Sequence, residues 1–186
     1  MKRLFVWILL PLLLTGCNDL SDDLDAGMQL RSRLLQSEQC VFTTEISAEY
    51  DDRICLFAMD CAADENGDLA FTVVQPLTIA GISGTLTGEE GQIQFEDVAL
   101  QFPLKAEDLP SPISAPWILL NALRSGFLTS ACVEGDEICL SIDDSFQGRT
   151  LKTDVWLNSV NVPSRADILY DGRKILTMRV KKFDIS

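Results

Sequence analysis

From Cys40 to the C-terminus, apolar residues tend to recur at every second position, and clusters of Asp, Asn, Gly and Pro interrupt them. Period-two alternation bounded by turn residues is the signature of β-strands, so it confines most of this chain to antiparallel sheet. Phe42 to Tyr50, Ile54 to Cys61 and Leu69 to Val74 are predicted as successive strands. Asp51-Asp52 turns the first into the second. Asp64-Glu65-Asn66-Gly67-Asp68 turns the second into the third, with Gly67 free to take positive φ, and Pro76 ends the third. Two further strands flank Gly88-Glu89-Glu90-Gly91. The pattern Ile93, Phe95, then Val98, Leu100, Phe102 changes parity at Glu96-Asp97, which reads as a bulge or bend. Cys132 to Cys139 reads as a hairpin closed by a four-residue loop. Lys152 to Leu157, Ala166 to Tyr170 and Lys174 to Phe183 complete the strands, with Asp171-Gly172 as the turn between the last two.

Two stretches break this pattern. Leu20, Leu24 and Met28, then Leu30 and Leu34, are spaced four apart and predict a helix over 22–37, with Ser21 as N-cap. A proline-rich link from Pro103 to Pro116 leads to a second helix. There Trp117-Ile118-Leu119-Leu120-Asn121-Ala122-Leu123 is apolar nearly all round and therefore buried, and Gly126 stands where a C′ glycine belongs. A helix, a meander, an inserted helix and more meander make an α+β domain. Ile54-Cys55-Leu56-Phe57-Ala58-Met59 is apolar at both parities, and Leu69 to Val74 nearly so. Strands of that kind need cover on both faces. Two helices over one face and a strongly curved antiparallel sheet enclosing the other provide it.

The N-terminus carries a different message. Met1-Lys2-Arg3 is cationic, Leu4 to Leu14 is almost wholly apolar, and Leu14-Thr15-Gly16-Cys17 ends the run with small residues before a cysteine. These are the three regions of a secretory signal peptide; a spanning helix needs about 20 apolar residues, and Pro11 would break this one. Leu14-Thr15-Gly16-Cys17 resembles the lipobox of bacterial lipoproteins. That resemblance implies cleavage after residue 16 and a diacylated Cys17 on the extracytoplasmic face of the cell membrane. The expected organisation is a leader over 1–16, a lipidated Cys17 and polar tether over 17–27, and one domain over 28–186.

The formal charge of −13 becomes more negative once Lys2 and Arg3 leave with the leader, because no acid leaves with them. Such a chain repels nucleic-acid phosphate, so nucleic acid is excluded as a partner, and the lipid must supply membrane attachment. With no His in the sequence, Ser-His and Cys-His nucleophiles cannot form. Gly81-Ile82-Ser83-Gly84 lacks nucleophile-elbow spacing, and Asp143-Asp144 and Glu89-Glu90 read as solvated turns. No Cys-x-x-Cys occurs, which disfavours strong zinc sites. Asp60, Asp64, Glu65, Asn66, Gly67 and Asp68 offer oxygen ligands but miss EF-hand spacing, so turn outweighs calcium. No catalytic residue, metal site or cofactor is expected. Five cysteines besides Cys17 leave at least one unpaired, and hairpin geometry supports one candidate disulfide, Cys132 with Cys139.

Leu30-Arg31-Ser32-Arg33-Leu34-Leu35 leading into Phe42-Thr43-Thr44-Glu45-Ile46, Gly67 to Pro76, and the Asp171-Gly172 hairpin ending near Phe183 together resemble the LolA-like lipoprotein-carrier superfamily. The resemblance covers most of residues 28–186. It implies a half-barrel around helices which, in several members, binds acyl chains. Ser111-Pro112 through Leu123 is more similar to uncharacterised lipoproteins of Gram-positive bacteria, including sporulation lipoproteins that act as scaffolds. Soluble carriers are not lipidated, whereas Cys17 would hold this domain at one membrane. Phe57, Phe71, Trp117, Leu120, Phe127 and Trp156 are the candidate lining of an apolar cavity, with simple core packing as the competing reading. The expected role is therefore a non-enzymatic binding module for an apolar ligand or acyl chain. The alternative is an interaction scaffold for an envelope or sporulation enzyme, with a membrane-associated protein as partner.

Overall fold

The computed structural model describes residues 19–50, 53–88, 90–95, 98–103, 105–106, 109–145 and 150–186. The leader, Cys17, the Asp51-Asp52 turn, Glu89 and Glu96-Asp97 lie outside these residues. The element order is α1 (Asp19–Gln36), β1 (Gln39–Tyr50), β2 (Arg53–Asp64), β3 (Leu69–Gln75), β4 (Ser83–Thr87), β5 (Glu90–Phe95) and β6 (Val98–Pro103). Then follow β7 (Lys105–Ala106), β8 (Leu109–Pro110), a 3-10 turn (Pro112–Ser114), α2 (Ala115–Ser125), β9 (Phe127–Glu134), β10 (Glu137–Asp143), β11 (Leu151–Leu157), β12 (Pro163–Tyr170) and β13 (Arg173–Ile185). Eleven strands form one open antiparallel sheet in the order β6-β5-β4-β3-β2-β1-β13-β12-β11-β10-β9, and β7 with β8 forms a small separate hairpin.

β1 shows why the sheet takes its faces. Its β-branched residues suit a pleated surface, and Cys40, Phe42, Thr44, Ile46 and Ala48 are buried while Val41, Glu45 and Glu49 are exposed. The buried set joins one core with Leu30 and Leu34 of α1 and Ile118, Leu119, Leu120 and Leu123 of α2. Both helices therefore serve the same face of the sheet. α2 is buried nearly all round, as its composition requires, and Pro116 sits in its first turn where no N–H is needed. Among the described residues, no helix is long and apolar enough to cross a membrane.

Four local expectations change. α1 starts at Asp19, so most of the expected tether is helix. Phe95 pairs with Val98 in antiparallel register, so the stretch expected as one strand with a bulge or bend is two paired strands, β5 and β6. Glu134 pairs with Glu137, which shortens the Cys132–Cys139 hairpin loop from four residues to two. Gly126 is extended, at φ −62° and ψ 153°, and is no left-handed cap. Its reason is space: a Cβ there would collide with Ile142 and would lie 2.7 Å from the Ala122 carbonyl oxygen.

Candidate functional site: a groove on the uncovered face

Residues paired across antiparallel strands project from the same face. Glu45 lies opposite Arg179 on one side and Ala58 on the other, and Ser47 lies opposite Thr177 and Leu56. These residues alternate with buried Thr44, Ile46 and Ala48, so they occupy the face away from the helices. There a groove of 620 Å³ runs over β13, β1 and β2 and is bounded by Gln75-Pro76 at the end of β3. Leu56, Ala58 and Pro76 form its apolar part, and Glu45, Glu49 and Arg179 place charge within it. Lys181 pairs with Glu45 at 3.2 Å. The doubly apolar run of β2 thus has a structural outcome: Ile54 and Leu56 are 66% and 67% exposed instead of covered.

The six candidate lining residues do not gather round one cavity. Phe71 and Leu120 are packed in the core at 3% and 2% exposure, and Phe57, opposite buried Ile46, packs against the same core where it borders the groove. Trp117 and Leu120 border a smaller cavity of 290 Å³ with Asn121 and Arg124 of α2 and the turns at Asn66-Gly67-Asp68 and Gly88. Phe127 is 74% exposed and borders neither of these cavities. Trp156 lies opposite Cys139 and Arg165, while its neighbours Val155 and Leu157 face the core. It therefore belongs to the outer face, where the Arg165 guanidinium stacks 3.5 Å from its ring centre. An all-apolar stretch such as Val155-Trp156-Leu157 hides this parity in the sequence.

The acidic turn uses its own carboxylate. Asp64 Oδ1 accepts the backbone N–H of Asn66 at 2.9 Å and of Asp68 at 3.0 Å, and Gly67 takes φ +88°. An Asx turn explains the cluster without a cation. Cys132 and Cys139 lie directly opposite each other as free thiols, the first exposed and the second buried. Burial pushes the Cys40 and Cys139 thiols up to about 12 and Cys61 higher still. Sequence reading missed Glu45 and Arg179, whose pairing depends on register between strands far apart in the chain.

No protein-family model and no curated protein matches the chain. Among solved structures it is similar to an uncharacterized conserved protein from Thermus thermophilus, at 10% identity over 87% of this chain and 88% of that one, with a TM-score of 0.49. It is similar to a LolA-superfamily protein from Nitrosomonas europaea, at 7% identity over 86% and 93% of the two chains, with a TM-score of 0.46. A third is the lipoprotein LppX of Mycobacterium tuberculosis, at 13% identity over 87% and 93%, with a TM-score of 0.41. At these identities no residue role carries over from them.

Proposed function

We propose that this protein is a non-catalytic binding module, held by a diacylated Cys17 on the extracytoplasmic face of a membrane, whose ligand is an amphiphile with an apolar chain. The observation that carries this reading is the groove of 620 Å³, apolar at Leu56, Ala58 and Pro76 and charged at Glu45 and Arg179. Its volume lies within the usual range for small-molecule sites, and its lining suits a chain with a polar end.

The sheet is read as a half-barrel around α2. That helix has 11 residues, hence a length of about 16 Å. It meets Ile142 of β10 through Gly126 and borders the turn after β4 through the smaller cavity. Those strands are seven places apart in the sheet order, about 34 Å if the sheet were flat. Only a sheet bent round the helix brings both within reach. The concave side is then filled by helix, which leaves the outer groove for a ligand. The elevated thiols support the non-catalytic reading, because a protonated cysteine is a poor nucleophile.

The test is titration of the unlipidated mature chain with a fluorescent long-chain fatty acid. Saturable one-to-one binding is expected, weakened at least about tenfold by Leu56→Glu, which puts a charge against the apolar chain. Absence of saturable binding, or a Leu56→Glu variant that binds equally well, overturns the groove reading.

A second reading, an interaction scaffold, rests on the sheet edge. Among the described residues β6 stands at the sheet edge beside β5, and its Val98 and Leu100 are 58% and 63% exposed. An exposed strand edge with apolar side chains suits addition of an extended partner segment. Crosslinking from native membranes should then recover one dominant partner with the wild type and lose it with Leu100→Lys.

A further inference from the structure

We propose that Cys132, Cys139 and Glu134 form a binding site for a thiophilic metal cation, zinc(II) or copper(I). The two sulfurs and a Glu134 carboxylate oxygen all lie within 4.8 Å of one another. A tetrahedral zinc centre with ordinary bond lengths sets its ligand atoms about 3.5–3.8 Å apart, so closure requires movements of about 1 Å. Two sulfurs and one oxygen leave a fourth position for water or an exogenous ligand, and thiolates favour soft metals over calcium or magnesium.

The fold preorganises this set. Cys132 and Cys139 are paired across the β9–β10 hairpin, and Val133 with Ile138 and Glu134 with Glu137 continue the register to the turn. Gly135 takes φ +66° in that turn, which lets the hairpin close in two residues. Glu134 is fixed from outside: Trp156 Nε1 donates to its Oε2 at 2.8 Å. Hydrogen bonds of this kind orient metal-binding carboxylates. Cys139 is 6% exposed and Trp156 7%, so the site has a dry floor, while exposed Cys132 leaves an entry path. The ligands come from facing strands, and so the spacing Cys132-x-Glu134 with Cys139 five residues beyond matches no short motif.

The experiment uses the reduced, unlipidated mature chain. Cobalt(II) serves as the optical probe for zinc, and a chromophoric copper(I) chelator serves as competitor. One equivalent of cobalt should give a sulfur-to-metal charge-transfer band that zinc abolishes. Stoichiometric transfer of copper(I) from its chelator supports the site equally, and the two arms identify the metal. Cys132→Ser is exposed and should leave the fold intact while reducing the band and weakening binding at least about tenfold. Trp156→Phe removes the orienting hydrogen bond while keeping an aromatic ring beside Arg165, and should weaken binding about 10–100-fold. Binding of neither metal overturns the proposal. So does a charge-transfer band that persists in a Cys132→Ser/Cys139→Ser variant, or a Cys132–Cys139 disulfide in protein taken from its native membrane.

Discussion

At Gly126 the usual arithmetic of glycine replacement reverses. Alanine in place of glycine commonly stabilises a chain by restricting the unfolded state, provided the native φ and ψ suit it. The backbone at Gly126 would accept alanine, but the Cβ would run into Ile142. Overpacking should dominate, so Gly126→Ala is expected to lose about 1–3 kcal/mol, read as a lower urea midpoint at unchanged slope. A glycine after a helix is legible in the sequence; that packing and not a left-handed cap demands it is not. The buried thiols give a second residue-scale prediction. Cys40 is raised to about 12 and Cys61 further, with burial the first cause in both. Their folded values exceed an unfolded value of about 8.5, so the native state holds protons that the unfolded chain releases. Their contribution is whole below about pH 8.5 and is lost as pH rises beyond it. Thermal midpoints should fall from pH 8 to pH 10, and Cys40→Ala should flatten that fall. An unchanged alkaline slope would remove the argument.

Between elements, the two helices cap each other. Arg31 of α1 donates Nε to the Leu123 carbonyl at 2.7 Å and Nη2 to the Gly126 carbonyl at 2.6 Å. Arg124 of α2 returns the arrangement, donating Nη1 to the Leu34 carbonyl at 3.2 Å and Nη2 to the Glu65 carbonyl. Each guanidinium thus serves the last-turn carbonyls of the other helix, where cations are favoured. Arg31→Ala should cost about 1.5–3 kcal/mol, since charged hydrogen bonds to carbonyls are lost together. Arg31→Lys, with one ammonium for a planar fork, should recover only part of it. Urea unfolding of the three proteins checks both statements. Most elements themselves were legible, because alternation and turn residues write strands locally: β3 begins at Leu69 as expected, and Asp171-Gly172 turns β12 into β13. What was not legible depends on pairing. Glu96-Asp97 reads as a bulge or bend until Phe95 is found opposite Val98, and Trp156 reads as cavity lining or core until its partners Cys139 and Arg165 fix its face.

Across the whole molecule, stability should be graded from the middle of the sheet outward. β1 and β13, from opposite ends of the chain, pair at its centre, and the pairing continues to the terminus, where Ser186 donates its N–H to Gln39 at 3.0 Å and accepts from Glu38 and Gln39. Such a pairing forms only when the long intervening loop closes, so it ties central amides to global unfolding. β4, β5 and β6 are joined by local hairpins at one edge, and Phe95, Val98 and Leu100 there are 49–63% exposed. Little buried surface opposes their opening, and local opening needs no global event. Native-state hydrogen exchange should therefore show amides of Ser83–Thr87 and Glu90–Phe95 exchanging at least about tenfold faster than those of Phe42–Ala48, at rates insensitive to low urea. The central amides should accelerate with urea in step with global unfolding. Uniform protection across the sheet would contradict this gradient. If a partner segment adds to β6, as the scaffold reading requires, the edge amides should become slow while the centre keeps its own rate. That selective change separates edge pairing from a ligand in the groove, whose protection would fall on β13, β1 and β2 instead.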